Sequence, residues 1–188
     1  MKMKMMTWMI AAACVAATSV QAADVKSGLQ VGDAVGAFYV EKVGGAEDGV
    51  AVGKKLCYRC RMGSRPTVMV FTRSADKQVA SLLKQIDSIV AANKDSKAGS
   101  FVNVLGADSK TAKATAAKLG SYDNVALVVP VEKDVAAGAT NQKISAKADV
   151  TVVIMKGGKV AANHAYAKGS LDAKAIKAIV ADAGSHLK

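Results

Sequence analysis

The chain has 188 residues, 51% of them hydrophobic, which is enough for one domain with a sizeable core. Its formal net charge of +11, from 26 basic against 15 acidic residues, would suit nucleic acid, anionic lipid or acidic ligands. Only 4% of the residues are aromatic and most lysines are scattered singly, which argues against a base-stacking platform and against nucleic acid as the partner.

The N-terminus reads as an export signal. Lys2 and Lys4 form a charged start, Met5 to Ala17 a short apolar run, and Val20-Gln21-Ala22 supplies the small residues of a cleavage site. Residues 1–22 are therefore expected to be a signal peptide and 23–188 a single domain that is periplasmic or extracellular. The apolar run is too short for a membrane span, and no later stretch approaches one. A rival reading makes Cys14 a lipidated first residue. It ranks second, because Ala11 stands where a large apolar residue is usual.

In chain order, Ala37 to Val43 alternates as a strand, followed by a turn at Gly44, Gly45 and Gly49, with Val50 to Tyr58 as the returning partner. Thr67 to Thr72 is a near-continuous apolar run, the mark of a strand buried on both faces, and Pro66 suits its entry. Ser74 is placed to cap a helix carrying Val79, Leu82, Leu83, Ile86, Ile89 and Val90 on one face. Phe101 to Leu105 reads as a second buried strand. Asp108 to Leu119 reads as a helix stopped by Gly120, and Val125 to Val129 as a third strand stopped by Pro130. Glu132 to Ile144 is weakly helical or irregular. Val150 to Met155 and Lys159 to Ala165 flank a Lys156-Gly157-Gly158 hairpin turn, and Leu171 to Ala183 closes as an amphipathic helix. Strands alternating with helices imply an α/β fold with a parallel central portion, to which the last hairpin adds antiparallel strands.

Chemistry concentrates in one segment. Removal of the signal leaves only Cys57 and Cys60, in the sequence Cys57-Tyr58-Arg59-Cys60. Between Gly49 and Ala75 there is no Asp or Glu, yet Lys54, Lys55 and every arginine of the chain (Arg59, Arg61, Arg65 and Arg73) fall there. Fixed positive charge beside a thiol favours the thiolate, the form that attacks disulfides and binds metals. Three uses stay open: a redox-active dithiol tuned by Arg59, Arg61 and Arg65, a soft-metal clip, or a short structural bridge. A bridge across so few residues constrains little chain entropy, which weakens the last. Haem attachment needs C-x-x-C-H, and Arg61 stands in place of the histidine. The arginines could also hold an anion or an acidic partner. His164 is a candidate proton shuttle, or a third ligand with Cys57 and Cys60 for Cu(I), although a single histidine is more often a packed strand residue. Tyr58 and Tyr166 are candidates to line the same groove, and His186 lies near the terminus and is read as inert.

Several segments carry a family resemblance. Val31-Gly32-Asp33 through Phe38 is similar to the V-G-D-x-x-P-x-F opening of redoxins, with Gly36 in place of the proline. Thr67 to Thr72 resembles their first core strand, and Thr151 to Val160 the hairpin before their last helix. Leu56 to Cys60 and Asn163 to Ala165 resemble elements of exported bacterial redoxin-like proteins. Together these resemble the thioredoxin-like superfamily in its redoxin or peroxiredoxin (AhpC/TSA-type) form. The resemblance implies a central mixed β-sheet flanked by helices, with an N-terminal β-hairpin extension. It also implies exchange with protein thiols and disulfides or a small thiol, with Cys57 as the attacking thiolate, Cys60 as the resolving one, and no cofactor. Copper-handling members of the superfamily pair two cysteines with a distant histidine, and that implies Cu(I) as the alternative. A third reading is a degenerate redoxin that serves as a binding scaffold.

The departures are specific. The family's reactive cysteine follows the first core strand, where this chain has Arg73-Ser74-Ala75-Asp76, without the peroxiredoxin P-x-x-x-T-x-x-C. Val150 stands where thioredoxins carry a cis-proline. The C-x-x-C precedes the strand, and Arg61 to Pro66 does not read as a helix. A standard peroxiredoxin is not expected.

Overall fold

The strands read as buried form the middle of one mixed sheet. The computed structural model describes residues 25–131 and 141–188. The expected signal peptide, Cys14 and residues 132–140 of the weakly helical stretch lie outside the described residues.

Seven strands, β1 (Val40–Gly45), β2 (Lys55–Leu56), β3 (Thr67–Thr72), β4 (Gly99–Val104), β5 (Val125–Pro130), β6 (Val150–Lys156) and β7 (Lys159–Tyr166), pair in the order β2-β1-β5-β4-β3-β6-β7. The central β3, β4 and β5 run parallel, while β1 and β6 join them antiparallel. Among the described residues the α-helices set against the sheet are α1 (Tyr58–Met62), α2 (Lys77–Ala91), α3 (Ser109–Ala116) and α4 (Ala173–His186).

Period-two alternation sorts the core into two layers. Val68 and Val70 of β3 face α2, α3 and α4, meeting Leu82, Leu83 and Ile86 of α2 and Ile176 and Ile179 of α4. Met69 and Phe71 face the other way, toward Phe38, Tyr58, Met62 and Phe101. This second layer is covered by α1 and by the segment that carries Leu29, Val35 and Phe38. Each fully buried large side chain contributes about 1.5–3 kcal/mol, so both layers are needed to hold the central strands. Among the described residues no helix is long and apolar enough to cross a membrane.

Several boundaries move. The first strand starts at Val40 and not at Ala37, and it bulges between Lys42 and Gly44. A side chain at Gly45, whose φ is +74°, would strike the Val125 carbonyl, so the bulge needs glycine there. The returning strand shrinks to Lys55–Leu56, because the chain turns into α1 directly after it. Ser74 does not cap α2. Asp76 does, its Oδ1 accepting the N–H groups of Gln78 and Val79 at 3.0 and 2.9 Å. Pro130 does not end β5 from outside; it is the strand's last residue, opposite Val40, where a missing donor costs little.

Candidate functional site

Cys57 and Cys60 are joined as a disulfide. The expectation that no helix backs the pair is corrected. Cys57 caps the single turn Tyr58–Met62, and its Sγ accepts the Cys60 N–H at 3.0 Å. The sequence hid this turn because five residues show no periodicity and the cap is a sulfur in place of the usual Ser, Thr, Asp or Asn. Gly63, at φ +61°, ends it.

The turn is pinned from both sides. Tyr58 and Met62, four residues apart and so on one helix face, enter the second core layer. The Tyr58 ring lies 5.5 Å from that of Phe101. Met62 presses against Gly99 at the start of β4, where a Cβ would come within 2.8 Å of its sulfur. Tyr58 donates its hydroxyl to Asp48 Oδ2 at 2.7 Å. The same carboxylate pairs through Oδ1 with Lys42 Nζ at 2.8 Å and accepts the Val50 N–H. Lys42 also donates to the carbonyls of Ala46 and Val50.

Burial would push the Asp48 carboxyl up, but the hydrogen bonds from Lys42, Tyr58 and Val50 outweigh it and hold it below the ordinary aspartate value. Burial first, and the neighbouring Asp48 carboxylate second, push the Tyr58 hydroxyl far above its usual range, so it stays a donor. Asp48 and Lys42 did not figure among the expected site residues. A signal existed: Lys42 shares its alternation parity with Phe38 and Val40, so it had to point inward and find an acid.

The arginines do two things. Arg59 donates from Nε to the Val35 carbonyl at 2.7 Å and from Nη1 to the Gly63 carbonyl. Arg61 donates to the Asp48 carbonyl, and Arg65 to those of Met62 and Arg61. They tie α1 to its surroundings through backbone oxygens, which are neutral acceptors. Among the described residues none of the three pairs with a carboxylate. Arg61 and Arg65 also border an open groove of about 320 Å³ whose wall includes Glu47, Asp48 and Asp123. That mixed lining suits a polypeptide better than a simple anion.

His164 is not brought to the cysteines. The register Ile154–Ala162 and Val152–His164 puts it on the α4 face of the sheet, where its Nε2 meets Asp182 Oδ2 at 2.8 Å. The disulfide lies over the opposite face, with the sheet between them. Tyr166 shares the His164 face, so it does not share a groove with Tyr58 either. Among the described residues no three His, Cys, Asp or Glu side chains gather as a metal site. Cu(I) titration of the reduced protein is accordingly expected to give the same affinity for wild type and His164→Ala; a loss of tenfold or so would show that the imidazole reaches the sulfurs.

The place after the first core strand is filled by other chemistry. Ser74 Oγ bonds Asp149 Oδ2 at 2.6 Å, and Arg73 donates to the Asp149 and Ala148 carbonyls, so this end of β3 is tied to the start of β6 without a sulfur.

No protein-family model matches the chain, and no curated protein matches its sequence. Solved structures do resemble it. Peroxidoxin BcpB from Mycobacterium tuberculosis superposes with a TM-score of 0.55 at 16% identity, covering 84% of this chain and 97% of its own. The thioredoxin domain of a thiol-disulfide oxidoreductase from Bacteroides vulgatus gives 0.52 at 14% identity, covering 80% and 99%. The exposed lipoprotein thioredoxin of Streptococcus pneumoniae gives 0.51 at 16% identity, covering 78% and 99%. At these identities the likeness establishes the fold alone: a thioredoxin-like sheet flanked by helices, as the resemblance in the sequence implied.

Proposed function

We propose that this chain is an exported thiol–disulfide oxidoreductase in which the Cys57/Cys60 pair cycles between disulfide and dithiol. The observation that carries the reading is the closed disulfide on a pinned helical turn, with one cysteine exposed and three arginines that, among the described residues, form no ion pair with a carboxylate. Such charge stabilises the thiolates of the reduced form, and that makes a couple more oxidising. The thioredoxin-like fold, and neighbours that include thiol-disulfide oxidoreductases, support the same reading. Export rests on residues 1–22 as a signal peptide, and protein thiols or a small thiol are the partners. A copper-handling role has less support, since His164 stands across the sheet from the sulfurs.

The test is the reduction potential of the pair, together with turnover of scrambled ribonuclease. A potential above about −300 mV with measurable turnover is the expected result. A lower potential with no turnover would reduce the pair to a structural bridge.

A further inference from the structure

We infer that Cys60, and not Cys57, is the sulfur through which this protein exchanges disulfides with its substrate. The inference rests on the redox reading above and reverses the order expected from the sequence. Cys57 is only 8% exposed, whereas Cys60 is exposed. The cause is helical geometry. Tyr58 and Met62 occupy the buried face of α1, and Cys60, two residues from each, is carried to the outer side. Because Tyr58 is bonded to Asp48 and Arg59 to Val35, the turn cannot roll to present Cys57 without breaking both contacts.

Exposure and leaving-group chemistry then point the same way. A substrate thiolate attacks Cys60 Sγ. The Cys57–Cys60 bond breaks, a bond from Cys60 to the substrate sulfur forms, and Cys57 departs as a thiolate. Its sulfur already accepts the Cys60 N–H at 3.0 Å, a bond that strengthens as negative charge develops. A better-stabilised leaving thiolate leaves faster. A second thiol of the same substrate, as thiolate, attacks the substrate sulfur of the mixed disulfide and expels Cys60 as thiolate. The substrate dithiol ends as a disulfide, the protein ends as a dithiol, and the two substrate protons pass to Cys57 and Cys60. The substrate class is therefore a protein or peptide with two neighbouring thiols, and the mixed-charge groove beside Arg61 and Arg65 suits a polypeptide chain.

The experiment uses the oxidised full chain with reduced glutathione, quenched in acid, alkylated with N-ethylmaleimide and mapped by mass spectrometry. Glutathione on Cys60 with N-ethylmaleimide on Cys57 is expected. The opposite pattern, or an even split, overturns the inference and leaves the redox reading standing. Should the adduct be too short-lived to map, the single-cysteine variants decide. Cys57→Ser should form a mixed disulfide with oxidised glutathione about tenfold or more faster than Cys60→Ser, both shown folded by circular dichroism. Equal or reversed rates sink the assignment. Failure of both variants to react, with a wild-type disulfide that glutathione never opens, removes the redox reading itself.

Discussion

Asp48→Ala is expected to destabilise the folded protein by about 3–5 kcal/mol, the usual cost of leaving one member of a buried ion pair without its partner. Lys42 is 3% exposed and Asp48 23%, so loss of the carboxylate leaves a largely buried ammonium held only by the Ala46 and Val50 carbonyls. The same substitution removes the acceptor of the Tyr58 hydroxyl, which is itself buried. Urea denaturation would read the loss, and a cost below about 1 kcal/mol would mean that the pair behaves as a surface contact. Tyr58→Phe tests the branch toward the cysteines alone and should cost about 1.5–3 kcal/mol, as for a hydrogen bond to a charged group. The contribution depends on pH in a defined sense. The Asp48 carboxyl is held below the ordinary aspartate value in the folded state, so its stabilisation is complete above the unfolded chain's value and is lost as the pH falls through the folded one. The stability gap between wild type and Asp48→Asn should therefore shrink in acid and stay level between pH 6 and 8.

That network also shows where the sequence was legible and where it was not. Thr67 to Thr72 could be placed as a central strand because six consecutive buried side chains need no partner information. The hairpin around Gly157-Gly158 was equally plain, since its turn chemistry is local. Lys42 and Asp48 are six residues apart across a bulge, so their pairing depends on how the chain folds back, and no local pattern records it. The cap of α2 illustrates the same limit: Ser74 and Asp76 are both acceptable caps, and only the approach of Asp149 from the start of β6 decides that Ser74 is used elsewhere. The cysteines stand out by residue type alone. Their roles do not, because burial of Cys57 and exposure of Cys60 follow from a five-residue turn too short to announce itself. His164 is a candidate partner of the cysteines only through the resemblance, and the face it occupies depends on a detail that its own residue type does not carry. A one-residue bulge between Ile154 and Met155 shifts the register, and a strand's inward and outward faces depend on the count.

Charge at the disulfide gives the second large effect. The double variant Arg61→Gln/Arg65→Gln is expected to shift the equilibrium with glutathione about tenfold toward the protein disulfide, which corresponds to about 30 mV in a two-electron couple. The direction follows from where the negative charge sits. Thiolates exist only in the reduced form, so nearby positive charge stabilises that form, and its removal makes the pair harder to reduce. The size follows from Coulomb's law: a unit charge one Debye length away, about 10 Å in 0.1 M salt, is worth between about 0.4 kcal/mol in water and about 1.7 kcal/mol near a protein surface. Two partly screened charges then supply the 1.4 kcal/mol that a tenfold change requires. Both guanidinium groups also hold α1 through backbone carbonyls, so the substitution removes hydrogen bonds along with charge. Arg61→Lys/Arg65→Lys separates the two, because lysine keeps the charge and loses the planar fork. It should melt earlier than wild type yet keep the wild-type potential. In 1 M salt, where the Debye length falls to about 3 Å, the gap between the Gln and Lys variants should close. A potential that tracks thermal stability across both variants, unaffected by salt, would show that the arginines act by fixing the turn and leave the thiolates untuned.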